Sequence, residues 1–121
     1  MTPHILVVED NRITAFELQM LLELEGYKDV ETCDYGEMAL EKAKGTNPPD
    51  IYIMDIGLKG EINGIEASSE IKTINPDAQF IFISGEEEKI RLAESTKTDS
   101  ISFSKPIDNK KIIDAILKLI S

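Results

Sequence analysis

The sequence predicts an α/β fold, a doubly wound parallel sheet of five strands in the order 2-1-3-4-5 with helices on both faces. Two observations predict it. Short, wholly apolar runs rich in β-branched residues recur along the chain, as strands buried on both faces of a parallel sheet require. Helix-length segments with one apolar side separate them, giving a regular β-α alternation. A length of 121 residues suits one core, so the chain is expected to form one domain over residues 1–121.

Taken in order, Ile5, Leu6, Val7 and Val8 form the first buried strand. A helix is expected over 11–25, where Leu, Glu, Met and Gln are strong helix formers, with Gly26 as its stop. On this helix Leu18, Leu21 and Leu22 suffice for a core stripe. Ile13, Phe16, Met20 and Leu24 form a second stripe, well apart from the first at about 100° per residue. Either the last helix covers that second stripe or a partner does. Val30 to Cys33 reads as a weaker edge strand, and 36–44 as a short helix with Ala39, Leu40 and Ala43 on one side. Asn47, Pro48 and Pro49 break the chain before a buried strand at 51–54. Ile65, Ser68, Ile71 and Ile74 are expected on one face of a third helix, which Asn75-Pro76 ends. Another buried strand covers 80–83, and 86–94 reads as a polar helix with Ile90, Leu92 and Ala93 apolar. A fifth strand follows at 100–104. Asp108 is placed as the N-cap of a final helix carrying Ile112, Ile113, Ile116 and Ile120.

Composition excludes several classes of function. Asp and Glu number 23 against 13 Lys and Arg, a formal charge of −10, so the surface repels nucleic-acid phosphates and anionic membrane. Cys33 is the one cysteine, which rules out an internal disulfide and suits a reducing cytosol. The N-terminus runs straight into a strand without a signal peptide's apolar core. No apolar run approaches the roughly 20 residues of a membrane span. A cytoplasmic protein is expected.

In a doubly wound sheet, function lies at the carboxyl ends of the strands, beside the switch point between strands 1 and 3. Strand 1 ends in Glu9-Asp10, strand 3 in Asp55, strand 4 in Ser84 and strand 5 in Lys105-Pro106. Singly, each has an ordinary explanation as a cap, a turn residue or a solvated lysine. Jointly, four strand ends carry polar groups suited to one reaction. Three clustered carboxylates repel one another unless a cation joins them or a proton stays on. With no His or Cys nearby in sequence, the ligands are oxygens, which favours a hard ion such as Mg²⁺.

The set Val8-Glu9-Asp10-Asn11, Ile53-Met54-Asp55, Ile83-Ser84-Gly85 and Lys105-Pro106 resembles the receiver domain of response regulators, over the whole chain. The resemblance implies a flavodoxin-like fold and a phosphorelay signalling domain rather than an enzyme acting on a separate substrate. It implies that Asp55 becomes an aspartyl phosphate, with a histidine kinase or histidine phosphotransfer protein as donor. Asp10, Asp55, the Gly57 carbonyl and, through water, Glu9 would hold Mg²⁺. Ser84 and Lys105 would meet the phosphoryl group, and Pro106 fixes the chain beyond the lysine, often after a cis bond. His4 is then a strand-edge residue, since the donor histidine lies on another protein. A carboxylate is a competent nucleophile for this transfer, and Mg²⁺ and Lys105 would supply the positive charge that the transferring oxygens need.

Departures from the family pattern are informative. After the acceptor, Lys59 stands where a proline is common, and the loop carries one additional residue before Gly64. Ser102 occupies the position of the switch aromatic, while Phe103 should point to the opposite face. Phosphorylation is therefore expected to alter the face of the 86–94 helix and strand 5 only weakly. A haloacid-dehalogenase-type phosphatase would need an Asp where Gly57 stands. A flavodoxin-like nucleotide binder would find its phosphate repelled by Glu9-Asp10. A phosphorylation-independent interaction module would not need the complete set Asp10, Asp55, Ser84 and Lys105. The second stripe on the first helix, Ile13, Phe16, Met20 and Leu24, would suit a phosphotransfer bundle or a homodimer.

Overall fold

A computed structural model describes residues 2–85 and 100–121. The strands are β1 (Ile5–Val8), β2 (Val30–Cys33), β3 (Ile51–Asp55), β4 (Gln79–Ser84) and β5 (Ser100–Ser104). The helices among the described residues are α1 (Arg12–Leu24), α2 (Gly36–Ala43), α3 (Gly64–Ile74) and α4 (Asn109–Ile120). All strands pair in parallel in the order β2-β1-β3-β4-β5, as the apolar runs predict. The helix expected at 86–94 lies outside the described residues.

Strand alternation divides the core into two. On one face Leu6, Val8, Tyr52, Met54, Phe80 and Phe82 meet Ala39 and Ala43 of α2 and Ala67 and Ile71 of α3. Tyr52, Phe80 and Phe82 stack in a column, with successive ring centroids 5.1 and 5.7 Å apart. On the other face Ile5, Val7, Ile51, Ile53, Ile81 and Ile83 meet Leu18 and Leu22 of α1 and Ile112 and Ile116 of α4.

Helix boundaries have local causes. Asn11 caps α1 by accepting from the Ile13 and Thr14 N–H groups, and Gly26, at φ 98°, turns the chain beyond its end. Asn63 and Glu66 form a reciprocal capping box on α3, and Asp108 caps α4. Ile74 and Ile120 are 41% and 43% exposed, because each lies on the flank of its helix's buried arc. Ala67 and Ala115 fill the arc instead.

Candidate functional site

β1 carries Glu9 and Asp10 to the carboxyl edge, and the Glu9 N–H extends its ladder to the Cys33 carbonyl at 3.0 Å. Asp55 ends β3 in the neighbouring position, and Ser84 ends β4. The Lys105 N–H donates to the Ser84 carbonyl at 2.9 Å, which holds the lysine beside the serine. The Lys105–Pro106 peptide is cis.

These strand ends bring the side chains together. The Lys105 ammonium lies 2.9 Å from Glu9 Oε1 and 3.4 Å from Asp55 Oδ2. Glu9 is 1% exposed, Ser84 2% and Asp55 6%. Glu9 Oε2 accepts the Asn11 N–H at 3.1 Å, and Asp55 Oδ1 accepts the Gly57 N–H at 2.9 Å. Asp10 is half-buried, and its Oδ2 accepts the Lys59 N–H at 3.3 Å. Gly57 is exposed at the rim.

Electrostatics explain what this cluster lacks. Burial pushes the Glu9 carboxyl up to about 7; the Asn11 N–H and Lys105 pull it down, and Asp55 reinforces the rise. Burial also works against the Lys105 ammonium, yet the Glu9 and Asp55 carboxylates outweigh it and raise its pKa. Glu9 Oε1 is within ion-pair distance of Lys105 but out of hydrogen-bonding alignment, so this buried oxygen is incompletely satisfied. One oxygen each from Glu9, Asp10 and Asp55 lies within 4.8 Å of the others. An oxygen-only set with excess negative charge fits a hard divalent cation such as Mg²⁺.

Comparison with known proteins agrees with this geometry. The profile of the response regulator receiver domain matches residues 5–117. The chain belongs to the response-regulator receiver family. This receiver is 31% identical to the chemotaxis protein CheY of Thermotoga maritima over 120 residues, 98% of each chain. It is 32% identical to CheY of Halobacterium salinarum, covering 96% of this chain and 95% of that one. Its fold superposes on the receiver domain of a modulated diguanylate cyclase from Desulfovibrio desulfuricans with a TM-score of 0.85. That match has 29% identity and covers 99% of this receiver and 94% of that chain. The receiver is thus a two-component signal-transduction domain.

Other expected residues fall as follows. Ser102 is half-buried opposite Phe82, with its Oγ enclosed and without a hydrogen-bond partner among the described residues, while Phe103 packs on the α1/α4 face. Ile13, Phe16, Met20 and Leu24 are 72%, 61%, 44% and 81% exposed, so α4 does not cover the second stripe. His4 is buried and joins Glu31, which also pairs with Lys42 at 2.7 Å. No helix among the described residues is long and apolar enough to cross a membrane.

Sequence reasoning missed two residues around the loop after Asp55. Gly64 lets α3 begin against the Asp55 backbone, and the Asn63-x-x-Glu66 capping pattern could have marked that start. Glu37 of α2 accepts the Ile62 N–H at 3.2 Å. Its sequence signal is only that of a first-turn acid.

Proposed function

We propose that this receiver accepts a phosphoryl group on Asp55 from a histidine kinase or histidine phosphotransfer protein, in a Mg²⁺-dependent reaction. The observation that carries the reading is Asp55 itself, 6% exposed, with Lys105 Nζ at 3.4 Å and the Glu9 and Asp10 carboxylates alongside. In the transfer, the phosphorus–nitrogen bond of the donor phosphohistidine breaks and a phosphorus–oxygen bond to Asp55 forms. The imidazole leaves with the electron pair of the broken bond.

Glu9, Asp10, Asp55 and the Gly57 carbonyl would hold the ion, which when bound supplies charge to the transferring oxygens. Lys105 stays protonated because of its carboxylate neighbours and would pair with the phosphoryl group. Ser84, buried at the adjoining strand end, would donate its hydroxyl. Pro106 would keep the lysine on its path. Ser102, being small and unable to act as an aromatic rotamer switch, would confine the response to the Ser84 loop and the loop after Asp55.

The exposed row Ile13, Phe16, Met20 and Leu24 would receive a helix of the phosphodonor bundle, since the row begins beside Asp10 and Asn11. Homodimerisation through α1 is the competing use of the same row. A cytoplasmic setting goes with this chemistry, and the unpaired buried thiol of Cys33 supports it. The deciding experiment is incubation with acetyl phosphate and Mg²⁺ followed by intact mass measurement. Wild type should gain one phosphoryl group, EDTA should prevent it, and Asp55→Asn should gain none. An undiminished gain in Asp55→Asn would place the acceptor elsewhere.

A further inference from the structure

We infer that Glu37 is a positioning residue for the phosphoacceptor loop, residues 56–63, holding from α2 the backbone that faces Asp10 and Asp55. The inference rests on the proposed role of Asp55 and deepens it.

Between its ends, where Ile56 donates to the Ile83 carbonyl and Asn63 to Glu66 Oε1, three further backbone N–H groups tie this loop down. Gly57 donates to Asp55 Oδ1 at 2.9 Å and Lys59 to Asp10 Oδ2 at 3.3 Å. Ile62 donates to Glu37 Oε1 at 3.2 Å, across 25 positions of sequence. The first two acceptors belong to the site, so their oxygens are shared with whatever the site binds. Of these three carboxylates, Glu37 is the one that stands outside the site.

The fit between α2 and the loop is close on both sides of that bond. A Cβ on Gly36 would lie 2.9 Å from Ile62 Cγ1, so the start of α2 touches the loop directly. Gly60 adopts φ 109°, and a Cβ there would lie 3.2 Å from Glu37 Oε2. The loop therefore bends around the carboxylate, with Gly60 on one side and the Ile62 N–H on the other. Buried Ile56 and Leu58 and half-buried Ile62 anchor its apolar points, while 59–61 are exposed. That exposed stretch carries the Lys59 N–H. A first-turn acid that served only the helix dipole would have no need to reach Ile62.

The test compares wild type with Glu37→Ala, Glu37→Gln and Glu37→Asp. Mg²⁺ affinity is read from amide shifts, with acetyl phosphate labelling rates and melting temperatures in EDTA beside it. Losing one such bond should weaken Mg²⁺ binding by about threefold to tenfold in Glu37→Ala. Glu37→Gln keeps an acceptor oxygen at the same reach and should restore wild-type affinity and rate. Glu37→Asp keeps the charge but not the reach, so it should resemble Ala and stands in for it if Ala fails to fold. A Mg²⁺-induced shift at the Glu37 and Met38 amides should be present in wild type and Gln and lost in Asp. Wild-type affinity in both Ala and Asp, or a Gln variant as weak as Ala, would overturn the inference. A wild type that neither binds Mg²⁺ nor gains a phosphoryl group would instead overturn the reading of Asp55.

Discussion

Gly64 and Asp55 meet backbone to backbone: a Cβ on Gly64 would lie 2.4 Å from the Asp55 carbonyl oxygen and 2.9 Å from Ile56 Cα. The Gly64 N–H meanwhile donates to the Ile56 carbonyl at 3.2 Å, so α3 starts on top of the end of β3. Neither clashing atom belongs to a flexible side chain. Gly64→Ala should therefore destabilise the protein by about 1–3 kcal/mol, the usual cost of overpacking. It should also slow acetyl phosphate labelling by moving Asp55. Urea unfolding and mass measurement check both, and an unchanged midpoint would show that the backbones can separate freely.

Metal should stabilise the fold through the acidic cluster. At a concentration about 100-fold above Kd, Mg²⁺ should add about 2.7 kcal/mol. That is roughly 10 °C in melting temperature for a domain of this size. Asp10→Ala should remove most of the rise. If millimolar Mg²⁺ leaves wild-type melting unchanged, the cluster is not a metal site.

The metal-free protein should show a pH dependence set by Glu9. Its folded pKa, about 7, exceeds the ordinary 4.5, so the folded state binds the proton more tightly than the unfolded chain. The resulting stability is full below pH 4.5 and is lost as pH rises through 7. Melting curves in EDTA across this window should decline in wild type and flatten in Glu9→Gln. A wild-type curve already flat there would mean that Glu9 ionises freely.

Phe16→Asp combined with Met20→Asp should leave the fold and acetyl phosphate labelling intact, because both side chains are exposed. Transfer from a phosphohistidine donor should slow at limiting donor concentrations. Each large apolar side chain buried on docking is worth up to about 1.5–3 kcal/mol. Unfolding of the double variant would return the row to the core, and unaltered transfer would move the docking surface elsewhere.

Ser102 should limit how far phosphorylation is felt along β5. Amide shifts at Ile101, Ser102 and Phe103 should stay small beside those at Gly57 and Lys59. Comparable shifts in β5 would show that a small hydroxyl side chain can still couple this strand to the site.

β1, β3 and β4 were readable because each is an apolar run with a polar end, which pointed to Glu9, Asp10, Asp55 and Ser84; β2 and β5 are mixed in polarity, and the residues just past β5 pointed to Lys105. Periodicity also separated the exposed row on α1 from Leu18 and Leu22. It did not report how deeply Ile74 and Ile120 sit: each lies on the flank of its helix, and hydrophobicity alone does not give the angle. The roles of Glu37 and Gly64 were missed for another reason. Each acts through contact with backbone distant in sequence or across a turn, and backbone groups carry no residue letter.

The two cores differ in how bulk is shared between sheet and helix. Tyr52, Phe80 and Phe82 fill space from the strands, and the helices opposite answer mainly with Ala39, Ala43 and Ala67, beside Ile71. On the reverse face the strands offer Ile and Val, and Leu18, Leu22, Ile112 and Ile116 reach down to them. The helices are therefore not interchangeable: α2 on the isoleucine side would leave voids, and α1 on the aromatic side would collide. Side-chain size thus matches each crossover to its own side of the sheet.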